Sequence, residues 1–177
     1  MKIVGRLLTW MIVVTFVGGA MGCASDHLRP DDLYTDDSDF RIDADAEIRD
    51  STEARQVLDV VYHYRQALVN KDFGTLNRLV SEDYYDNAGT TNTTVDDYGH
   101  GELQNVFEMM AQHAEQIRYE IIVKDVQVDG LRAHVDYEFQ YAFQYRIGDK
   151  ETWDAGSDVN RLEFNREGDH WRITSGM

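Results

Sequence analysis

The chain has 177 residues, a formal charge of −16 and a single cysteine. So acidic a surface repels phosphate backbones and anionic head groups, which argues against nucleic acid as a partner. One cysteine allows no internal disulfide, so the fold must be held by its core. The length suits one domain, and the first fifty residues differ in composition from the rest.

The N-terminus reads as a targeting segment. Lys2 and Arg6 lead into an uncharged run over 7–22 that ends in "AMGC". That run is shorter than the roughly 20 apolar residues a spanning helix needs. Its end resembles the lipobox of a bacterial lipoprotein: Gly22 and Cys23 match, while Ala20 stands where Leu is usual. The resemblance implies a signal peptide over 1–22 and acyl chains on Cys23, giving a membrane partner through a lipid anchor. An uncleaved single-span anchor is the alternative. Both place the domain in the cell envelope, outside the cytoplasm. Ala24 is not an acidic retention signal, which points to the outer membrane. Lys2 and Arg6 are the only charges before Cys23, so the processed chain would carry −18.

Residues 26–50 hold ten Asp or Glu, three Arg and the only proline. With few apolar side chains to bury, 23–49 reads as an acidic, solvated tether. Asp43, Asp45 and Glu47 alternate as in a calcium loop. Position six would be Ile48 rather than Gly and position twelve Ala54 rather than Glu, so the reading fails.

The folded domain is expected over 50–177. Asp50 and Glu53 suggest a capping box. Val57, Val60, Val61, Tyr64, Ala67 and Leu68 then recur at helical spacing to about residue 70. "NKDFG" breaks this helix, and a short second one carries Leu76, Leu79 and Val80. "EDYYDNAG" reads as a short strand and "TTNTTVDDYGHG" as a polar loop. A third helix is predicted from Glu102 to about Gln116 on the stripe Leu103, Val106, Phe107, Met110, Ala114. The period then changes from 3.6 to 2. "RYEIIVKDVQV" runs into a hairpin turn at Asp129-Gly130, and further turns fall at Gly148-Asp149 and Gly168-Asp169. From Leu131 to Ile147 every odd position is apolar or aromatic, and the even ones are polar except Ala142. At about 3.3 Å per residue this strand would run about 56 Å, so it must bend, and Ala142 is the predicted place. Helices followed by a meander of long strands make an α+β fold.

The stretch from Ala67 to Leu79, the third helix after a polar loop, and the ending Trp171-Arg172-Ile173 resemble the nuclear transport factor 2-like superfamily. That group includes ketosteroid isomerases, scytalone dehydratase and polyketide cyclases. The resemblance covers about 51–177. It implies a cone, with three N-terminal helices packed in a strongly curved antiparallel sheet, a pocket at the wide end, and a homodimer through the sheet. It also sets Tyr64 where the isomerases carry an oxyanion-hole Tyr. Their base would fall near Ala88, which cannot move a proton. Asp86 and Asn87 are close by, and the second oxyanion donor falls near Asn160.

Histidines stand at 27, 63, 100, 113, 134 and 170 without His-x-His or His-x-x-x-His spacing, so no metal site is predicted. No Gly-x-Ser-x-Gly motif is present and the folded domain has no cysteine, so no nucleophile is predicted. Nothing calls for a cofactor. The reading is non-catalytic binding of a small, mostly apolar ligand by Tyr64, Asp86, Tyr137, Tyr141, Asn160 and Ser175. A protein-interaction or structural envelope role is one alternative, and an isomerase, dehydratase or cyclase is another.

Overall fold

The computed structural model describes residues 27–28, 37–88 and 93–177. The leader and Cys23 lie outside the described residues. The elements in chain order are β1 (Phe40–Ile42), α1 (Thr52–Val69), α2 (Phe73–Leu79), β2 (Tyr85–Asp86), β3 (Tyr98–Gly99), α3 (His100–His113), β4 (Ala114–Asp129), β5 (Arg132–Ile147), β6 (Lys150–Glu167) and β7 (His170–Ser175).

Helix α1 forms because its apolar stripe has a sheet to cover. Val57, Leu58 and Val61 are fully buried against it, each contributing about 1.5–3 kcal/mol. The cap is Ser51, not Asp50: extended at Ser51, the chain lets the hydroxyl accept the Ala54 N–H at 3.0 Å. Asp50 is taken instead by the Arg55 guanidinium at 2.7 and 2.8 Å. Helix α3 stops at His113. Ala114 has already turned extended, so 114–116 belong to β4 rather than to the predicted helix.

The five-stranded sheet has the order β1-β4-β5-β6-β7, and β2 and β3 form a separate pair. Strands β4 to β7 are antiparallel and joined by two-residue turns, at Gly148-Asp149 and Gly168-Asp169 as predicted and at Gly130-Leu131, one residue beyond the predicted Asp129-Gly130. The sheet is nevertheless mixed, because β1 joins β4 in parallel through Phe40↔Ile121 and Ile42↔Val123.

For the described residues 27–28 and 37–49, this corrects the expectation of a solvated tether. Leu28, Phe40, Ile42 and Ile48 are at most 3% exposed, and the Leu28 amide donates to the Ile48 carbonyl at 2.8 Å. A few apolar side chains at alternating positions are enough to seat a strand when a free sheet edge receives them. The bend is also not at Ala142, which pairs in register with Arg118 and Ala155. Irregularities fall in β4, between Ala114 and Gln116 and between Val123 and Asp125, and at Glu163/Phe164 of β6. Such bulges bend and twist a sheet locally.

The odd side of β5 faces the core, as the alternation predicts. Val135 and Tyr137 are buried, whereas Phe139 to Tyr145 are half-buried and Ile147 is exposed. The first half of β6 is exposed throughout. The far halves of β5 and β6 therefore project beyond the helices, and that projection creates the site described next.

Candidate functional site

Two neighbouring regions of the cone hold the aromatic residues that the sequence singles out. The first is a cluster of phenols. Helix α1 supplies Tyr64, β4 supplies Tyr119 and β5 supplies Tyr137, all buried. The Tyr64 and Tyr119 rings meet edge to face at 6.1 Å. The three phenols lie close enough to influence one another, and Asn160 of β6 donates to the Tyr137 oxygen at 3.3 Å. Burial, the largest influence, pushes all three phenols well above their ordinary range, so they stay neutral.

A second set of polar groups closes this end. The other Asn160 contact is a donation to the Gly176 carbonyl at 2.8 Å. Asp86 accepts from the Gly176 amide at 2.5 Å, the Ala88 amide at 2.7 Å, the Tyr84 hydroxyl at 3.2 Å and the Ser175 hydroxyl at 3.4 Å. The Met177 amide donates to the Tyr84 hydroxyl at 2.9 Å, and the Tyr98 hydroxyl donates to the Met177 carbonyl. Residues 175–177 thus stand between Asp86 and Asn160.

The sequence-predicted residues are only partly gathered. Tyr137 and Asn160 are hydrogen-bonded, with Tyr64 in the adjoining ring cluster, while Asp86 and Ser175 meet them through the backbone of Gly176. Tyr141 is set apart, with its ring across β6. A Cβ on Gly156 would lie 3.0 Å from the Tyr141 hydroxyl, so a side chain there would require this ring to shift slightly. Sequence reasoning misses Tyr84, Tyr98 and Tyr119. The alternation Ile117, Tyr119, Ile121, Val123 is the available signal for Tyr119.

The second region is an open apolar groove of about 730 Å³ between α3 and the projecting end of β5. Val106, Met109 and Met110 form one wall, and Phe143, Tyr145 and Ile147 form the other. Met109 is 63% exposed and Val106 46%. A ladder of rings links the two regions: Tyr137, Phe139, Tyr141, Phe143 and Tyr145 follow at centroid spacings of 5.8, 6.0, 5.2 and 6.0 Å. Alternate residues on one strand face produce this stack. Arg146, at the groove's edge, is held by Glu115 at 2.6 Å and Glu151 at 2.9 Å. The groove offers apolar surface and polarisable sulfur, with His113 as a polar rim group.

No family model matches the chain, and no curated protein matches it. Solved structures do. A ketosteroid isomerase-like protein from Erwinia carotovora atroseptica matches with a TM-score of 0.56 at 15% identity, over 72% of this chain and 95% of that one. A candidate dehydratase of the nuclear transport factor 2-like family from Streptomyces avermitilis gives 0.55 at 20% identity, over 71% and 93%. A protein of that family and of unknown function from Pseudomonas putida gives 0.52 at 14%, over 72% and 85%. The chain has the nuclear transport factor 2-like fold. Its helices and curved mixed sheet form the α+β cone that the sequence resemblance implies, with β1 as an added parallel strand.

Proposed function

We propose that this domain is an extracytoplasmic, lipid-anchored carrier or sensor that binds a small, mostly apolar molecule without transforming it. The observation that carries the proposal is the groove between α3 and β5, where Met109, Val106 and Ile147 expose apolar surface beside an aromatic ladder. Apolar clefts of this size suit small ligands. The site is shifted outward from the phenol cluster, whose three rings are buried. Asp86 weighs against isomerase chemistry, since four donors share its carboxylate and none leaves it free as a base.

The test is titration with an uncharged solvatochromic dye such as Nile red. Wild type should bind it saturably, Met109→Glu should weaken binding at least tenfold, and Tyr64→Phe should leave it unchanged. Absence of saturable binding, or equal binding by Met109→Glu, defeats the proposal. The anchor is tested separately: Cys23→Ser should release the protein from outer-membrane fractions, and unchanged retention would remove the lipoprotein reading.

A second reading, a homodimer, draws on the opposite face of the sheet. There β6 turns Trp153, Ala155 and Val159 outward beside Ala142, with Val159 72% exposed. The occupant would be a second copy of this chain, in line with the sheet-mediated pairing implied by the family resemblance. Sedimentation equilibrium should then show a dimer that Val159→Asp dissociates, and a monomer in wild type would end this reading.

A further inference from the structure

On the outer face of the sheet, away from the groove, two strands bring three ligand-type side chains together. Asp125 of β4 sits opposite Asp136 of β5, and Gln127 sits opposite His134. His134 and Asp136 are two residues apart on one strand, so both point to the same face. One ligand atom from each of Asp125, His134 and Asp136 lies within 4.8 Å of the other two, and all three residues are half-buried. We propose that Asp125, His134 and Asp136 bind a divalent transition-metal ion, with zinc the best fit.

The donor set decides the ion class. One imidazole nitrogen and two carboxylate oxygens match zinc and its borderline neighbours, whereas calcium and magnesium prefer oxygen alone. Two carboxylates supply the charge that a divalent ion needs. The ligands rest on adjacent strands of a continuous sheet, so little ordering is required when the ion arrives. Gln127 donates to one Asp125 oxygen at 2.8 Å, fixing that carboxylate and leaving its other oxygen for the metal. A cleft of about 610 Å³ lined by Gln127, His134, Glu163 and Asn165 opens beside the imidazole and provides room for coordinating waters.

Arg161 is the counterweight. Its Nε and Nη2 reach the two Asp136 oxygens at 2.5 and 2.7 Å. A carboxylate has about four lone-pair positions, so Asp136 can keep this partner and still face a metal. The guanidinium charge opposes the ion, however, and removing it should strengthen binding. A search for paired histidines misses such a site, because the set joins a His-x-Asp pair to an Asp from the neighbouring strand.

The experiment is calorimetric titration of the metal-free full chain with Zn²⁺, with Co²⁺ absorption as a report on coordination. The expected result is one equivalent bound and a Zn²⁺-dependent rise in Tm. His134→Ala and Asp125→Asn should each lower affinity at least tenfold while melting normally without metal. His170→Ala, which removes an exposed histidine elsewhere, should match wild type, and Arg161→Gln should bind severalfold more tightly. The proposal is overturned by the absence of one-to-one binding in wild type. It is equally overturned by binding that survives His134→Ala, by loss in His170→Ala equal to that in His134→Ala, or by weaker binding in Arg161→Gln.

Discussion

The Arg65 guanidinium, on a side chain only 6% exposed, donates through Nη1 to Asp37 at 2.6 Å and so ties helix α1 to the segment that precedes it. The same group donates to Asp39 at 2.8 Å and to the Tyr119 carbonyl at 2.7 Å. Gln66 adds a bond to Asp37 at 2.6 Å. One buried cation thus offsets the acidity of residues 37–39 and holds β1 at the open edge of β4.

Arg65→Met should therefore loosen β1. The Tyr119 carbonyl loses its side-chain partner, for which the cost is about 1–3 kcal/mol. Asp39 adds less, because it is 59% exposed and water can serve it, whereas Asp37, 16% exposed, would keep Gln66 as its side-chain donor. The check is a urea midpoint together with hydrogen exchange at Phe40 to Ile42. Unchanged protection there would show that apolar contacts alone seat the strand. Deleting 37–48 should cost more, since Phe40, Ile42 and Ile48 are each buried and full burial contributes about 1.5–3 kcal/mol apiece.

The acidic segment is where the sequence is hardest to read. Alternation over 131–147 reveals the span and the inner face of β5, because a period of two kept up for so long fits only an extended strand with one buried side. Phe40 and Ile42 make up only one such alternation. Nothing local distinguishes it from a linker, and the free edge of β4 that receives it lies about 80 residues away in sequence. The same holds for the site. Tyr64, Tyr137 and Asn160 are legible from the helical stripe, strand parity and a family resemblance. The groove is not, because it arises where the far end of β5 passes α3, a tertiary relationship that neither element's pattern contains.

The phenol cluster makes a prediction that separates packing from hydrogen bonding. Tyr64→Phe removes one buried hydroxyl from beside two other phenols and should lower stability by about 0.5–1.5 kcal/mol if that hydroxyl is partnered. Tyr64→Ala also empties the space against Tyr119 and should cost about 3–5 kcal/mol. Denaturant unfolding of both variants checks this. Equal stability of Tyr64→Phe and wild type would mean that the hydroxyls contribute nothing net.

The cap of helix α2 gives a pH dependence. The Asp72 carboxylate accepts from the Thr75 hydroxyl at 2.6 Å and from its amide at 3.0 Å, and these bonds hold its pKa below the ordinary aspartate value. A folded-state pKa below the unfolded one adds stability that is fully present above the unfolded value and lost as pH falls through the folded one. Wild type should therefore exceed Asp72→Asn in urea midpoint at pH ~6, with the gap narrowing as pH falls below about 3.9. A gap independent of pH would assign the cap to shape rather than charge.

Gly176 is where the closed end of the cone should be most sensitive. Its φ of +93° lies in the region that favours glycine, and a Cβ would collide with the Arg161 carbonyl. Gly176→Ala must therefore move the backbone whose amide meets Asp86 and whose carbonyl meets Asn160. Displacement would leave Asp86, 8% exposed, without one of its amide donors and Tyr137 with a less firmly held Asn160. Strain and lost bonds together should cost about 2–4 kcal/mol. Dye binding in the groove should persist, because none of the groove-lining residues belongs to this network. Thermal melting and Nile red titration of the same variant give both readings. A variant as stable as wild type would show that residues 175–177 do not hold this end of the fold, while loss of dye binding at normal stability would show that the two regions are coupled through the aromatic ladder.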